Sequence, residues 1–156
     1  VLLKIQGEIN MGIYKSVIVA IDINAEYEKI IKKALKVCKS VDCIRLAYIP
    51  LPSIYLQPYL YGADANAFDD SSRIERAQKK LESIAKKFKI SQEHVFLKTG
   101  DAADEIKSFA NDMDADLIVI GTHGQSGLKL LLGSTANAVL HGAKQDVLAV
   151  RVHESK

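Results

Sequence analysis

The chain has 156 residues, 48% of them hydrophobic and 26% charged, with a formal net charge of +2. That length fits one domain with one sizeable core. The charge is too small to point to nucleic acid or to an anionic membrane surface. No apolar run approaches the roughly 20 residues needed to cross a bilayer.

The first ten residues are a poor secretory signal, because Glu8 and Asn10 quickly interrupt their short apolar run. They read as an extension or tag remnant outside the fold, with Met11 as the natural start and residues 11–156 as a single domain. The alternative is a native arm that orders on a partner. Without a signal, the expected location is the cytoplasm.

Residues 16–22 are apolar almost throughout, as in a central parallel strand covered on both faces. Asp22 or Asn24 is expected to cap a helix over about residues 25–40. Tyr27, Ile30, Ile31, Ala34, Leu35, Cys38 and Val41 form its inward stripe. Lys29, Lys32, Lys33, Lys36 and Lys39 lie mainly off that stripe and read as a solvated face. A second strand follows at residues 43–49 and ends at Pro50 and Pro52. Cys38 and Cys43 form no C-x-x-C pair and have no nearby histidine, so both are expected to be buried thiols in a reducing compartment.

Residues 50–70 form a long connector carrying Tyr55, Tyr59, Tyr61 and Phe68, expected to pack on a partner or on the protein itself, with a lid over a ligand as the alternative. A second helix is expected over residues 71–89, with Ser71 or Ser72 as cap and Glu75 completing a capping box. A third strand spans residues 94–99, a third helix about 102–113, and a fourth strand 116–120. The last helix is expected over residues 135–143 and the fifth strand over 146–152. Strictly alternating strands and helices imply an α/β fold: a parallel sheet with helices on both faces and right-handed crossovers.

Between the fourth strand and the last helix lie Gly121, Thr122, His123, Gly124, Gly133, Ser134 and Thr135. A helix start offers unpaired N–H groups and the positive end of the helix dipole, which suit a phosphate. Gly121 and Gly124 let backbone approach a ligand closely. Ser134 or Thr135 can cap the helix or donate to phosphate. The bland alternative is that the glycines only turn the chain and Ser134 only caps.

These residues, with the closing apolar strand, resemble the universal stress protein family (UspA). Its nucleotide-binding members carry a pattern similar to G-x2-G-x9-G-[ST], which Gly121, Gly124, Gly133 and Ser134 match in kind. Residues 125–132 make the loop one residue shorter than that pattern. The resemblance extends from about Tyr14 onward. It implies a three-layer, Rossmann-type α/β/α sandwich like that of adenine nucleotide alpha hydrolases, with a five-stranded parallel sheet of order 3-2-1-4-5. That order opens a crevice between the carboxyl ends of strands one and four, where Asp22 and Gly121 stand.

By the same resemblance, Ala20, Asp22, Tyr48, Gly121, Thr122 and His123 form a nucleoside pocket. Gly124, Gly133, Ser134 and Thr135 take the phosphates of ATP, with Mg2+ carried by those phosphates. Asp22 would accept hydrogen bonds from base or ribose, and Tyr48 would offer backbone groups to adenine. His123 has no carboxylate spaced to orient it and no adjacent nucleophile, so no catalytic residue is assigned. No Walker lysine follows Gly133, and no protein metal cage is expected. A homodimer is implied, and the hydrophobic edge strand from Asp146 to Val152 would supply its interface. Three readings stand: a non-enzymatic, ATP-binding stress-response protein; a dimeric interaction module that binds no nucleotide; and a slow ATPase.

Overall fold

In the computed structural model, residues 12–53, 70–123 and 133–152 are described. The apolar runs become five parallel strands: β1 (Val17–Ala20), β2 (Ile44–Tyr48), β3 (Val95–Leu97), β4 (Leu117–Gly121) and β5 (Asp146–Val150). Their order is β3-β2-β1-β4-β5, as expected. Among the described residues four α-helices connect or flank them: α1 (Glu28–Val37), α2 (Asp70–Lys87), α3 (Ala102–Asp112) and α4 (Ser134–Gly142).

The unbroken apolarity of β1 has a direct cause. Successive side chains of a strand point to opposite faces. Val17 and Val19 join one core cluster with Ile30, Ile31 and Ala34 of α1 and Leu81, Ile84 and Ala85 of α2. Ile18 and Ala20 join a second with Ala103, Ile106 and Ala110 of α3 and Ala136 and Val139 of α4. Both faces of the sheet are therefore covered, giving three layers. β5 is an edge strand, and its Val147, Leu148 and Ala149 are only half-buried.

Several element ends differ from expectation. Asp22 does not cap α1. Its Oδ1 accepts from the Asn24 amide at 2.9 Å and its carbonyl accepts from Ala25 N–H at 3.1 Å, which closes a turn. The helix then begins only at Glu28, with Tyr27 as N-cap and no side-chain cap bond. Cys43 closes a 3-10 turn (Val41–Cys43) instead of opening β2, and is half-buried, whereas Cys38 is buried. β3 and β5 are shorter than expected, ending at Leu97 and Val150.

The carboxyl ends of α2 and α3 share one device. Lys89 (φ 60°) and Asp114 (φ 47°) adopt the left-handed conformation. Ile90 N–H then reaches Ala85 O and Ala115 N–H reaches Ala110 O, both at 2.9 Å, the six-to-one bond that satisfies carbonyls at a helix end. Asp101 caps the start of α3 by accepting from Asp104 N–H at 3.0 Å.

The amino end of the sheet is tied by side chains. Asp116, just ahead of β4, accepts from the amides of Lys15 (2.9 Å) and Ser16 (3.0 Å). The Tyr14 hydroxyl donates to Asp146 at 2.8 Å, and Tyr14 pairs with Cys38 in an isolated parallel bridge. That carboxylate raises the Tyr14 phenol above its usual range, with desolvation adding to the effect.

Candidate functional site

The carboxyl ends of β1 and β4 lie side by side. Ala20 pairs with Ile120 in the register, so Asp22 and Thr122 each stand two residues beyond the same rung. Ala20 is buried and forms floor there. The crevice expected from topology and the start of α4 are brought together by Thr122. Its amide donates to Val150 O at 2.9 Å, and its carbonyl accepts from Gly133 N–H at 2.7 Å. The first bond continues the β4–β5 ladder. The second pulls the first residue of the α4 cap onto the end of β4.

Glycine suits that close approach: a β-carbon at Gly133 would sit 3.0 Å from Thr122 O, a tight contact that the neighbouring backbone would have to ease. Gly121 has a packing reason instead, since a β-carbon would meet Ile30 Cδ1 at 2.8 Å and Val152 Cγ1 at 3.2 Å. Gly133 is the N-cap of α4, with φ −59° and ψ 152°, and makes no side-chain cap bond. Ser134 and Thr135 therefore do not cap the helix; Ser134 is its first residue. The earliest intrahelical bond runs from Asn137 N–H to Gly133 O at 2.9 Å. Among the described residues, the amides of Ser134, Thr135 and Ala136 have no acceptor. The first turn of α4 contains no acidic residue that would repel an anion. Residues this arranged fit a phosphate group.

Thr122 and His123 are half-buried and bonded to each other, Oγ1 to Nδ1 at 2.9 Å. The Thr122 hydroxyl thus has an internal partner as well as a place beside the cleft. Gly124 lies outside the described residues, as do the residues 125–132 that follow it and the aromatic residues of the connector between β2 and α2.

On the β1–β2 side, Ile21 N–H donates to Ala47 O at 2.9 Å, and Lys98 N–H donates to Tyr48 O at 3.4 Å. Backbone groups along a parallel strand alternate between its two neighbours. The Tyr48 carbonyl thus faces β3, and the next residue of β2 to turn its backbone toward β1 is Ile49. Its N–H has no acceptor among the described residues, because the β1–β2 ladder stops at the Ile21–Ala47 bond. Strand alternation thus turns the backbone of Ile49, and not that of Tyr48, toward β1. The Tyr48 ring is half-buried against the α1/α2 cluster. Burial raises its phenol pKa, Asp22 raises it further, and Arg73 opposes both. Arg73, from the first turn of α2, carries no motif that would have marked it. Its Nη2 donates to Leu51 O at 2.7 Å and to Asp70 at 2.9 Å.

Among the described residues there is no group of three or more His, Cys, Asp or Glu that would hold a metal ion, and no helix long and apolar enough to cross a membrane. A parallel three-layer sandwich with a glycine-capped helix start at its switch point defines a Rossmann-like α/β protein. Comparison with known proteins narrows that class. The model of the universal stress protein family matches residues 13–151. "Universal stress protein A homolog 2" of Coxiella burnetii is 37% identical over 148 residues, covering 93% of this chain and all of the relative. "Universal stress protein G" of Escherichia coli O157:H7 is 29% identical, covering 88% and 99%. Among solved structures, hypothetical protein MJ0577 superposes with a TM-score of 0.70 at 24% identity, covering 91% and 99%. A universal stress protein in complex with cAMP superposes at 0.54 and 22%, covering 90% and 98%. The chain belongs to the universal stress protein family.

Proposed function

We propose that this protein is a cytoplasmic stress-response regulator that binds ATP or a related adenine nucleotide at the carboxyl ends of β1, β2 and β4, without dedicated turnover. One observation carries the reading: among the described residues the amides of Ser134, Thr135 and Ala136 have no acceptor, and they lie where Gly133 docks on Thr122. Each is a ready donor to a phosphate oxygen, and the helix dipole adds positive potential. The nucleoside would then lie across the end of β1, with Asp22 Oδ2 available to ribose and Ile49 N–H to the base edge. Magnesium would arrive with the phosphates. The neighbour solved with cAMP adds support by likeness of fold.

A second reading, a dimeric module acting through its partners, is favoured by the half-buried Val147, Leu148 and Ala149 on the open edge of β5. The two are compatible, and we place the homodimer contact on residues 146–152. Calorimetric titration with ATP and Mg2+ separates them. Micromolar binding supports the nucleotide reading. No heat and no thermal shift leave the dimeric module, and phosphate release above a protein-free control would make the protein a slow ATPase. Sedimentation of a monomer at working concentration would remove the dimer.

A further inference from the structure

The net charge of +2 conceals a separation of charge between the two helix layers. α1 and α2 pack on the same face of the sheet. Each buries an apolar stripe: Ile30, Ile31 and Ala34 in α1, and Leu81, Ile84 and Ala85 in α2. The helical repeat turns the residues between them outward. In α1 these are Lys32, Lys33 and Lys36, and in α2 Arg76, Lys79, Lys80, Lys86 and Lys87, all exposed. The Lys87–Glu28 pair joins the two helices, so these cations belong to one surface. The other layer has the opposite sign. From Asp101 to Asp116 the chain carries Asp101, Asp104, Glu105, Asp112, Asp114 and Asp116 against Lys107 alone.

Internal pairing uses only part of the basic layer. Glu28 is shared by Lys32 and Lys87, and Glu75 takes Lys79. Among the described residues Lys33, Lys36, Arg76, Lys80 and Lys86 make no ion pair. The surface is also concave at one place. A depression of about 340 Å³ lies on the outer side of α1, lined by Glu26, Glu28, Lys29, Lys32, Lys33 and Lys36. The make-up of the layer selects among anionic partners. The large exposed apolar side chains, Ile13, Leu51, Met113 and Leu140, all lie elsewhere, so nothing here would insert into a membrane. Tyr27 and Phe88, the aromatic residues of the layer, pack against the core and offer no ring for stacking on bases. All but one of the outward cations are lysines, point charges without the bidentate fork of arginine. The acidic α3 layer would repel a polyanion that wraps the molecule, which favours a contact on one side only. Lysines three and four residues apart match carboxylates spaced along another helix.

We propose that the outer face of α1 and α2 docks an acidic protein segment, whose carboxylates supply the ion pairs that Lys33, Lys36, Lys80 and Lys86 lack. The depression on α1 gives that segment a place to seat a side chain. The proposal does not rest on the nucleotide reading.

Fluorescence anisotropy with a labelled oligoglutamate peptide at low ionic strength tests it. The proteins compared are wild type, Lys33→Glu with Lys36→Glu, Lys80→Glu with Lys86→Glu, and a control, Lys144→Glu, which is exposed but lies between α4 and β5. Wild type should bind, and each double reversal should weaken binding about tenfold or more. Lys144→Glu should bind as wild type does, and added salt should abolish binding. All these positions are exposed, so thermal melting should show every variant folded. Lys33→Gln with Lys36→Gln only removes charge, and replaces a reversal that fails to fold. An equal loss in Lys144→Glu would show that binding follows net charge alone, and would overturn the proposal. A wild type that binds no peptide would make the layer a solvated face and overturn it too. Tighter binding to duplex DNA or to phosphatidylserine vesicles, lost in the same reversals, would overturn the choice of partner.

Discussion

Ser134→Pro separates the role of the α4 amides from the integrity of the fold. Ser134 is the first residue of α4, the position where proline is preferred because its missing N–H would be unpaired in any case. Proline also restricts its predecessor to extended backbone with ψ of roughly 120–160°. Gly133 already has ψ 152°. Among the described residues the Ser134 amide has no acceptor. Stability should therefore change by less than about 0.5 kcal/mol. If that amide holds a phosphate oxygen, one hydrogen bond to a charged group is lost, worth about 1.5–3 kcal/mol. That is about 10- to 150-fold in dissociation constant. Ser134→Ala removes only the hydroxyl and measures that contribution separately. Calorimetry with ATP and Mg2+, alongside thermal melting, reads both quantities on the same samples. Wild-type ATP affinity in a folded Ser134→Pro protein would refute the assignment of these amides to phosphate. A protein that fails to fold would refute the placement of Ser134 at the first helical position.

Three further outcomes follow from the packing. Lys89→Gly should raise stability by about 1 kcal/mol, because a side chain at φ 60° is strained where glycine is not; a melting temperature at or below wild type would count against this. Asp116→Ala should cost about 1–2 kcal/mol in urea unfolding by releasing the Lys15 and Ser16 amides, a figure kept low because both are exposed to water. The Lys87–Glu28 pair, reinforced by Lys32, joins α2 to α1 and lowers the Glu28 pKa while raising that of Lys87. The Glu28 contribution is present above the unfolded carboxylate pKa and is lost as pH falls through the lowered folded value. The Lys87 contribution is present below the unfolded lysine pKa and is lost as pH rises through the raised one. The gap in urea midpoint between wild type and Lys87→Ala should accordingly be seen near neutrality and close at about pH 2; a gap that persists there would mean the lysine acts by packing.

Strand positions were legible because burial on both faces leaves a continuous apolar run, which residues 17–20 and 117–120 carry. Strand order came from the family resemblance, and no local pattern in a single sequence encodes which strands are neighbours. Helix starts were less legible. Asp22 has a capping residue's chemistry, yet its carboxylate closes a turn of its own six residues before α1. Ser134 and Thr135 carry hydroxyls suited to capping, but the cap itself is Gly133, where a β-carbon would crowd Thr122 O. At the candidate site, the glycines and hydroxyls marked the start of α4 as a place suited to an anion. At the end of β2 the sequence did not show which backbone groups turn toward β1: the Tyr48 carbonyl accepts from Lys98 N–H on the β3 side. The Arg73 bond to Leu51 O left no local signal, because the two residues are 22 apart in the chain.

The ties of Tyr14, Lys15 and Ser16 to Asp146 and Asp116 sit at the end of the sheet opposite the cleft. Ile13, at that same end, is 72% exposed. A dye or resin anchored through Ile13→Cys would hold the protein by the amino end of its sheet and leave the carboxyl ends of β1 and β4 facing the solution.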